Sequence, residues 1–185
     1  MKPALIALLI LAVALPAFAG GEAQAPRDMV VLTVSGLIGK TNRGKLDQKR
    51  DSLLALQKID FKTAFAFDRA MLLKLPQGSV TAQPNEFDKP ATFKGPLLRE
   101  VLGFIEAAKV KVSFMAVDGY SGWLSPEDIE TSDWILALEA DGVPLGLGQQ
   151  GPIWLINTRD PGFKPDDTHR GHWVWALFYM HIGEE

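Results

Sequence analysis

The chain has 185 residues, of which 47% are hydrophobic and 22% are charged, and its formal net charge is −3 at pH 7. This length suits one domain with a substantial core, and the mild acidity argues against nucleic acid or an anionic membrane surface as a partner. The sequence contains no cysteine, which excludes disulfides, thiolate metal ligands and thiol catalysis.

The N-terminus has the pattern of a secretory signal peptide. A short basic start, MKP, precedes an apolar run over residues 4–15 and the small-x-small sequence Ala17-Phe18-Ala19. The run is shorter than the ~20 apolar residues that span a bilayer. We therefore predict a signal peptide over residues 1–19 and a periplasmic location, with an uncleaved N-terminal anchor as the alternative.

The start of the chain also indicates the export route. It carries one lysine and no arginine pair, which favours the general secretory route, in which chains cross the membrane unfolded. Residues 20–28 are predicted to be a flexible leader, and residues 29–185 a single domain without internal repeats.

The first half of the domain alternates strand and helix signals. Residues 29–39 are rich in β-branched residues and predict a strand, whereas 45–58 shows only a partial apolar face for a helix. A second strand is predicted over 61–67, followed by a short helix over 69–75 with Asp68 as its N-cap.

The middle of the chain contains the clearest helix signals. After a strand predicted over 78–84 and a polar loop, Pro96 is expected to occupy the first position of a helix with one apolar stripe. A strand is expected over 109–117. Ser125 and Asp128 then have the spacing of a capping box.

The last third of the sequence predicts mainly strands. Residues 134–145 predict a hairpin with an Asp-Gly turn, residues 151–157 a strand, and residues 172–182 a long final strand. Many strands with a few short helices indicate an α+β fold with a mixed, mainly β core.

The order of several segments resembles the oxidoreductase molybdopterin-binding domain family, which has the sulfite-oxidase fold. The segments are "FDRAMLLKLPQGSVTAQ", "ATFKGPLLREVLGFI", "VSFMAVDGYSGWLSPEDI", "DWILALEADGVPL", "GPIWLINTRDP" and "HWVWALFYMHI". The resemblance covers about residues 30–183. It implies a single sulfite-oxidase-type domain and molybdopterin as the cofactor.

Two departures from the family pattern concern its chemistry. Catalytic members bind molybdenum through a cysteine thiolate, and this chain has no cysteine. Where the larger enzymes have arginine in "GPxRL", this chain has Trp154. Export of an unfolded chain would also leave behind a cofactor that is inserted in the cytoplasm. We therefore expect a short secreted branch of the family that binds no cofactor.

The segment "DGYSGW" is the main candidate ligand site, and the resemblance places it at the mouth where the family's pterin lies. Asp118 suits a tight turn, Tyr120 and Trp123 offer flat faces with polar tips, and Ser121 offers a hydroxyl. The alternative is a simple turn whose aromatic side chains cover the core.

Two further candidates lie near the C-terminus. Two roles are open for Trp154, stacking on a planar ligand or filling volume in the core, and we favour the second. Arg159 binds an anion or is a solvated loop charge. His169 and His172 lack the spacing of a helical metal motif, so we expect no metal site there, and His181 fits a core or edge position.

These observations leave two functional hypotheses. The preferred one is a non-redox binding module that recognises a small planar or anionic ligand, or a periplasmic partner protein, for a sensory role. The alternative is a molybdopterin-dependent oxidoreductase whose metal has no thiolate ligand. No nucleophile-base motif supports hydrolysis, so the sequence favours a role other than catalysis.

Overall fold

The computed structural model describes residues 24–84, 87–157 and 172–184. The predicted signal peptide and Arg159 lie outside these residues.

The described part forms eleven strands and four helices, a mainly β arrangement that fits the α+β class. The strands are β1 (Val30–Gly36), β2 (Ala64–Asp68), β3 (Gln77–Ala82), β4 (Ala91–Pro96), β5 (Val112–Ala116), β6 (Ser121–Leu124), β7 (Trp134–Ala137), β8 (Glu139–Ala140), β9 (Val143–Pro144), β10 (Trp154–Asn157) and β11 (Leu177–Ile182). The helices are α1 (Ser52–Leu56), α2 (Arg69–Leu73), α3 (Leu98–Phe104) and α4 (Pro126–Thr131).

The largest sheet joins the two ends of the domain. Its strand order is β2-β1-β11-β5-β6, with β1 parallel to β11 and the other neighbours antiparallel. Alternate residues of β1 face opposite sides, so Leu32 and Val34 enter the main core while Thr33 and Ser35 face the other way. Both faces of β1 are therefore covered.

Two smaller sheets complete the β structure. One pairs β10 with β7, and the other has the order β3-β4-β8-β9. A second core cluster lies where they meet and includes Phe93, Ile135 and Trp154. Strands β4 and β7 approach each other closely at Gly95, because a Cβ there would lie 1.9 Å from the carbonyl oxygen of Leu136.

The segment between β1 and β2 covers the outer face of the large sheet. Leu46, Leu54, Ile59 and Phe61 are buried there together with Tyr179 of β11. The amide of Asn42 accepts a hydrogen bond from Ala66 N at 2.7 Å and donates to Ala66 O at 2.9 Å, and Arg43 forms an ion pair with Asp51 at 2.7 Å. Residues 40–60 thus pack against the rest of the domain.

Local capping and turn signals are confirmed. The Asp68 side chain caps α2 by accepting from Met71 N at 2.8 Å, and Ser125 and Asp128 form the predicted capping box. The Asp141-Gly142 turn joins β8 to β9, with both residues at positive φ.

Three element boundaries were predicted wrongly. The helix expected over 45–58 is limited to α1, because its leucines do not form one continuous buried stripe. Leu46 and Leu54 enter the outer cluster, whereas Leu53 and Leu56 are exposed. Pro96 ends β4 opposite Gln77, and the residue before α3 is Leu97. The final strand begins only at Leu177, since Ala176 has φ 50°, a left-handed conformation that breaks an extended strand.

Candidate functional site

The predicted site lies on the hairpin that joins β5 to β6, and its turn is fixed by its own backbone. Gly119 N donates to Ala116 O at 2.9 Å, and Ala116 N donates to Tyr120 O at 2.8 Å. The carboxylate of Asp118 accepts from Tyr120 N at 2.9 Å, which is the hydrogen bond of an Asx turn. The turn therefore holds Tyr120 at a defined position at the edge of the large sheet.

Gly119 is favoured by its backbone conformation, and it lies close to the end of the Gln57 side chain. Its φ of +89° lies in the region that favours glycine, and a Cβ there would lie 3.0 Å from Oε1 of Gln57. The hairpin thus rests against the end of α1, whose C-cap is Gln57.

Tyr120 and His172 form a two-ring platform. The Tyr120 hydroxyl is hydrogen-bonded to Nδ1 of His172, and the rings stack with centroids 6.0 Å apart and an interplanar angle of 21°. Tyr120 is 37% exposed, yet its partial burial raises the pKa of the phenol, so the hydroxyl is neutral at pH 7. We call this pair the tyrosine–histidine platform. It presents an aromatic surface whose orientation is already set.

Two more predicted residues lie on one face of β6. Ser121 is exposed and Trp123 is half-buried, and residues two apart on a strand face the same side. The ammonium of Lys111 lies 5.5 Å from the centroid of the Trp123 ring, within the range of a cation–π interaction. The hairpin thus carries Asp118, Tyr120, Ser121 and Trp123. The cation beside Trp123 also forms an ion pair with Glu184 at 3.9 Å.

Trp154 lies in the second core cluster. Its ring centroid is 5.3 Å from that of Phe93 and 5.9 Å from that of Phe87, and the residue is 2% exposed. This burial fits the packing role that the sequence favoured. The indole Nε1 is buried and makes no hydrogen bond within the described part of the chain. Arg159, the other predicted contact, lies outside the described residues.

Sequence reasoning missed the partners of the hairpin. His172 is 52 residues from Tyr120, Gln57 belongs to an earlier segment, and Lys111 precedes β5. None of these pairings has a local sequence signal, because each depends on how distant strands are arranged.

A second tyrosine-centred cluster lies in the middle of the large sheet. The Ser35 hydroxyl is 2.5 Å from the hydroxyl of Tyr179 and 3.4 Å from Nδ1 of His181. Ser35 is 1% exposed and Tyr179 is 5% exposed. The same functional groups as at the hairpin are therefore present here, but they are closed to a ligand.

The donor groups of the chain do not fit a thiolate-bound molybdenum centre. The sequence has no cysteine, and the described residues contain no group of three or more histidine, aspartate or glutamate side chains placed to hold a metal ion. No helix in the same residues is long and apolar enough to cross a membrane.

Comparison with known proteins gives information on the fold. No protein-family model matches the sequence, and no protein of curated function matches it. The crystal structure of the sulfane dehydrogenase SoxCD from Paracoccus pantotrophus is similar to this chain, with a TM-score of 0.54 and 15% sequence identity. The similarity covers 89% of this chain and 41% of that one, so the chain spans about two fifths of its length. The fold is therefore similar to that of part of this sulfane dehydrogenase.

Proposed function

We propose that this chain is a sulfite-oxidase-type domain that works in the periplasm as a non-redox binding module for a small planar, anionic ligand. The tyrosine–histidine platform carries the proposal, because it holds the exposed ring of Tyr120 and the half-buried ring of His172 in one orientation. The platform would stack against the planar part of the ligand.

The hairpin supports binding because it is organised in advance. The Asx turn at Asp118, the strand pairing and the contact with Gln57 fix the backbone, so little conformational entropy remains to be lost on binding. The Ser121 hydroxyl provides a polar group on the same hairpin. Lys111, which is paired with the exposed Glu184 at 3.9 Å, provides a positive charge beside Trp123.

The composition of the chain supports a function without redox chemistry. A thiolate cannot bind molybdenum in a chain that has no cysteine. The predicted unfolded export gives a second, independent argument. The similarity to the sulfane dehydrogenase concerns only the fold, and a fold can serve unrelated functions.

A fluorescence titration with pterin-6-carboxylate, which is both planar and anionic, tests the proposal. We expect saturable binding to the protein lacking residues 1–19, and about tenfold weaker binding for Tyr120→Ala, which corresponds to ~1.4 kcal/mol. Tyr120→Phe keeps the ring and should lie between the two. Phe104→Ala, which removes an exposed ring elsewhere, should bind like the wild type. Equal affinity of wild type and Tyr120→Ala would refute the platform as the binding surface.

The second candidate, a molybdopterin-dependent oxidoreductase with non-thiolate ligation, is favoured only by the similarity in fold. Elemental and pterin analysis separates it from the first. The protein should be purified from the periplasm of cells that are supplied with molybdate. We expect neither molybdenum nor pterin. About one of each per chain would establish the oxidoreductase and overturn the binding module.

A further inference from the structure

Strand β3 is an edge of the β3-β4-β8-β9 sheet, and none of the described residues pairs with its outer side. Its six residues pair with β4 in one continuous register, without a bulge. Ser79 and Thr81 are exposed to solvent. We call the side of this strand that faces away from β4 the β3 edge.

The hydrogen bonds of β4 show how its backbone is oriented. Asp141 N donates to Thr92 O at 2.8 Å, and Thr92 N donates to the Asp141 carboxylate at 2.8 Å. Leu138 N donates to Lys94 O, also at 2.8 Å. Thr92 and Lys94 therefore turn their backbone groups away from β3.

The residues of β3 that lie opposite these two point the other way. In an antiparallel pair, opposite residues turn their N–H and C=O groups either toward each other or both away. Thr81 lies opposite Thr92, and Ser79 lies opposite Lys94. Both residues of β3 therefore direct their backbone groups to the β3 edge, and Gln77 does so by the same alternation. Each of the three presents one donor and one acceptor there.

Other sheet edges in the described part of the chain are covered or short. At the edge of β2, the Asn42 side chain bonds both N and O of Ala66. Val174 pairs with Leu155 of β10. Strand β6 has four residues, and β9 has two, one of which is Pro144. Such features keep an edge from pairing with another chain, and β3, with neither a charged residue nor a proline, lacks them.

We propose that β3 pairs with β3 of a second copy of this chain, antiparallel about a two-fold axis at Ser79. Ser79 of one copy then lies opposite Ser79 of the other, and Gln77 lies opposite Thr81. In this register, every outward N–H and C=O of the three residues has a partner. The pairing joins two four-stranded sheets into one sheet of eight strands. It goes beyond the proposed function, since it concerns another sheet and another kind of partner.

The side chains of β3 favour a second copy as the partner. The strand carries no charge, so two copies do not repel each other. Lys94, one strand further in, would lie three strand spacings from its copy, ~14 Å, which exceeds the screening length of ~8 Å at physiological ionic strength. The Thr81 and Thr92 hydroxyls are 3.0 Å apart on the exposed face, and an opposed pair of Ser79 hydroxyls would extend this row.

Sedimentation equilibrium of the protein lacking residues 1–19 tests the association. One pair of edge strands is a small interface, so we expect a reversible dimer with a Kd on the order of 10 µM. Ser79→Pro removes an outward N–H that bonds nothing within the chain, and edge strands tolerate proline, so the variant should fold and associate at least tenfold more weakly. Ser79→Ala keeps the N–H and should associate like the wild type. A wild type that stays monomeric up to about 500 µM would overturn the proposal.

A single cysteine tests the register. The chain has no cysteine, so a disulfide of Ser79→Cys can join only two copies. Opposite Cα atoms of a hydrogen-bonded pair are ~5.5 Å apart, within the range that a disulfide spans. Oxidation with diamide should therefore link Ser79→Cys into dimers. Thr92→Cys, also exposed but on β4, is the matched control and should stay largely unlinked, because its copy would be at least ~14 Å away.

The two experiments also separate this dimer from other modes of association and from the hairpin site. Equal linking of the two cysteine variants, or a folded Ser79→Pro variant that dimerises like the wild type, would contradict pairing at the β3 edge. Ser79→Pro should bind pterin-6-carboxylate like the wild type, whatever the result of that titration is.

Discussion

The centre of the large sheet and the β5–β6 hairpin, with its partner His172, use the same three residue types for different purposes. Each region contains a serine, a tyrosine and a histidine, and the chain has only two tyrosines. The residues are Ser35, Tyr179 and His181 at the centre and Tyr120, Ser121 and His172 at the hairpin. Burial separates the two regions. The tyrosine–histidine arrangement at the centre is buried, whereas the one at the hairpin leaves ring surface in contact with solvent.

The physical reason lies in the cost of a buried polar group. Tyr179 and Ser35 are shielded by the segment between β1 and β2, so each hydroxyl must find a protein partner or lose stability. Tyr120 is partly exposed, so water can replace its partner at little cost. The central cluster is therefore fixed by folding, whereas the Tyr120 ring keeps contact with solvent.

The largest expected difference between the sheet centre and the hairpin is in what each tyrosine contributes to the stability of the protein. Tyr179→Ala removes a buried ring and leaves Ser35 without its hydroxyl partner, so it should lower the free energy of unfolding by ~3–5 kcal/mol. Tyr120→Ala should cost less than ~1 kcal/mol, because much of the ring is exposed. Urea unfolding of both variants at pH 7 measures the two losses. Similar values would show that the platform is as structural as the centre.

Asp68, at the end of β2, and Asp118, in the hairpin turn, offer a second contrast. In Asp68, Oδ1 accepts from Met71 N and Oδ2 accepts from Arg27 N, each at 2.8 Å. Asp68→Asn would place an NH2 group against one of these donors, so we expect a loss of ~1–2 kcal/mol at pH 7. Asp60→Asn, a change at an exposed carboxylate, is the matched control and should be neutral.

The loss of stability caused by Asp68→Asn should depend on pH. Burial acts to raise the pKa of Asp68, but the backbone hydrogen bonds from Arg27 and Met71 outweigh it and hold the pKa below 3.8. A lowered pKa in the folded state stabilises the protein above the pKa of the unfolded state. The advantage of the wild type over Asp68→Asn should thus be complete above about pH 4 and shrink as the pH falls further. An advantage that is independent of pH would contradict this account.

The sequence predicted the parts of this comparison that depend on near neighbours. The Asp68 cap and the Ser125 capping box were found because donor and acceptor are three residues apart. The role of Asp118 in a turn was found for the same reason, since its partner is two residues away. Such short hydrogen bonds leave a readable pattern in the sequence.

Pairings between distant segments were not predicted. The parallel pairing that sets Ser35 opposite His181 joins residues 146 positions apart, and His172 reaches Tyr120 across 52 positions. The partial helix pattern over 45–58 was misleading because tertiary packing against Tyr179 decides the conformation of that segment. Burial, which separates the centre from the hairpin, is itself a property of this tertiary arrangement.

A smaller effect concerns the ionisation of the platform. Burial raises the pKa of Tyr120 above 10.0, so its phenol should ionise at higher pH than a free tyrosine. The stabilisation from a raised pKa is complete below pH 10 and disappears as the pH rises through the folded pKa. The difference between ultraviolet titrations of wild type and Tyr120→Phe isolates this transition. A midpoint at or below that of free tyrosine would mean that the ring is fully solvated.

The smallest expected effect on stability is that of Asp118→Asn. Asparagine forms the same Asx turn, so the free energy of unfolding should change by less than ~0.5 kcal/mol, in contrast to Asp68→Asn. Because the change removes a negative charge beside the platform, affinity for pterin-6-carboxylate should rise by about twofold at low salt. Urea unfolding and the fluorescence titration measure the two effects separately. If Asp118→Asn destabilised the protein as much as Asp68→Asn, the hairpin carboxylate would have a structural role like that of Asp68, which caps α2 at the end of β2.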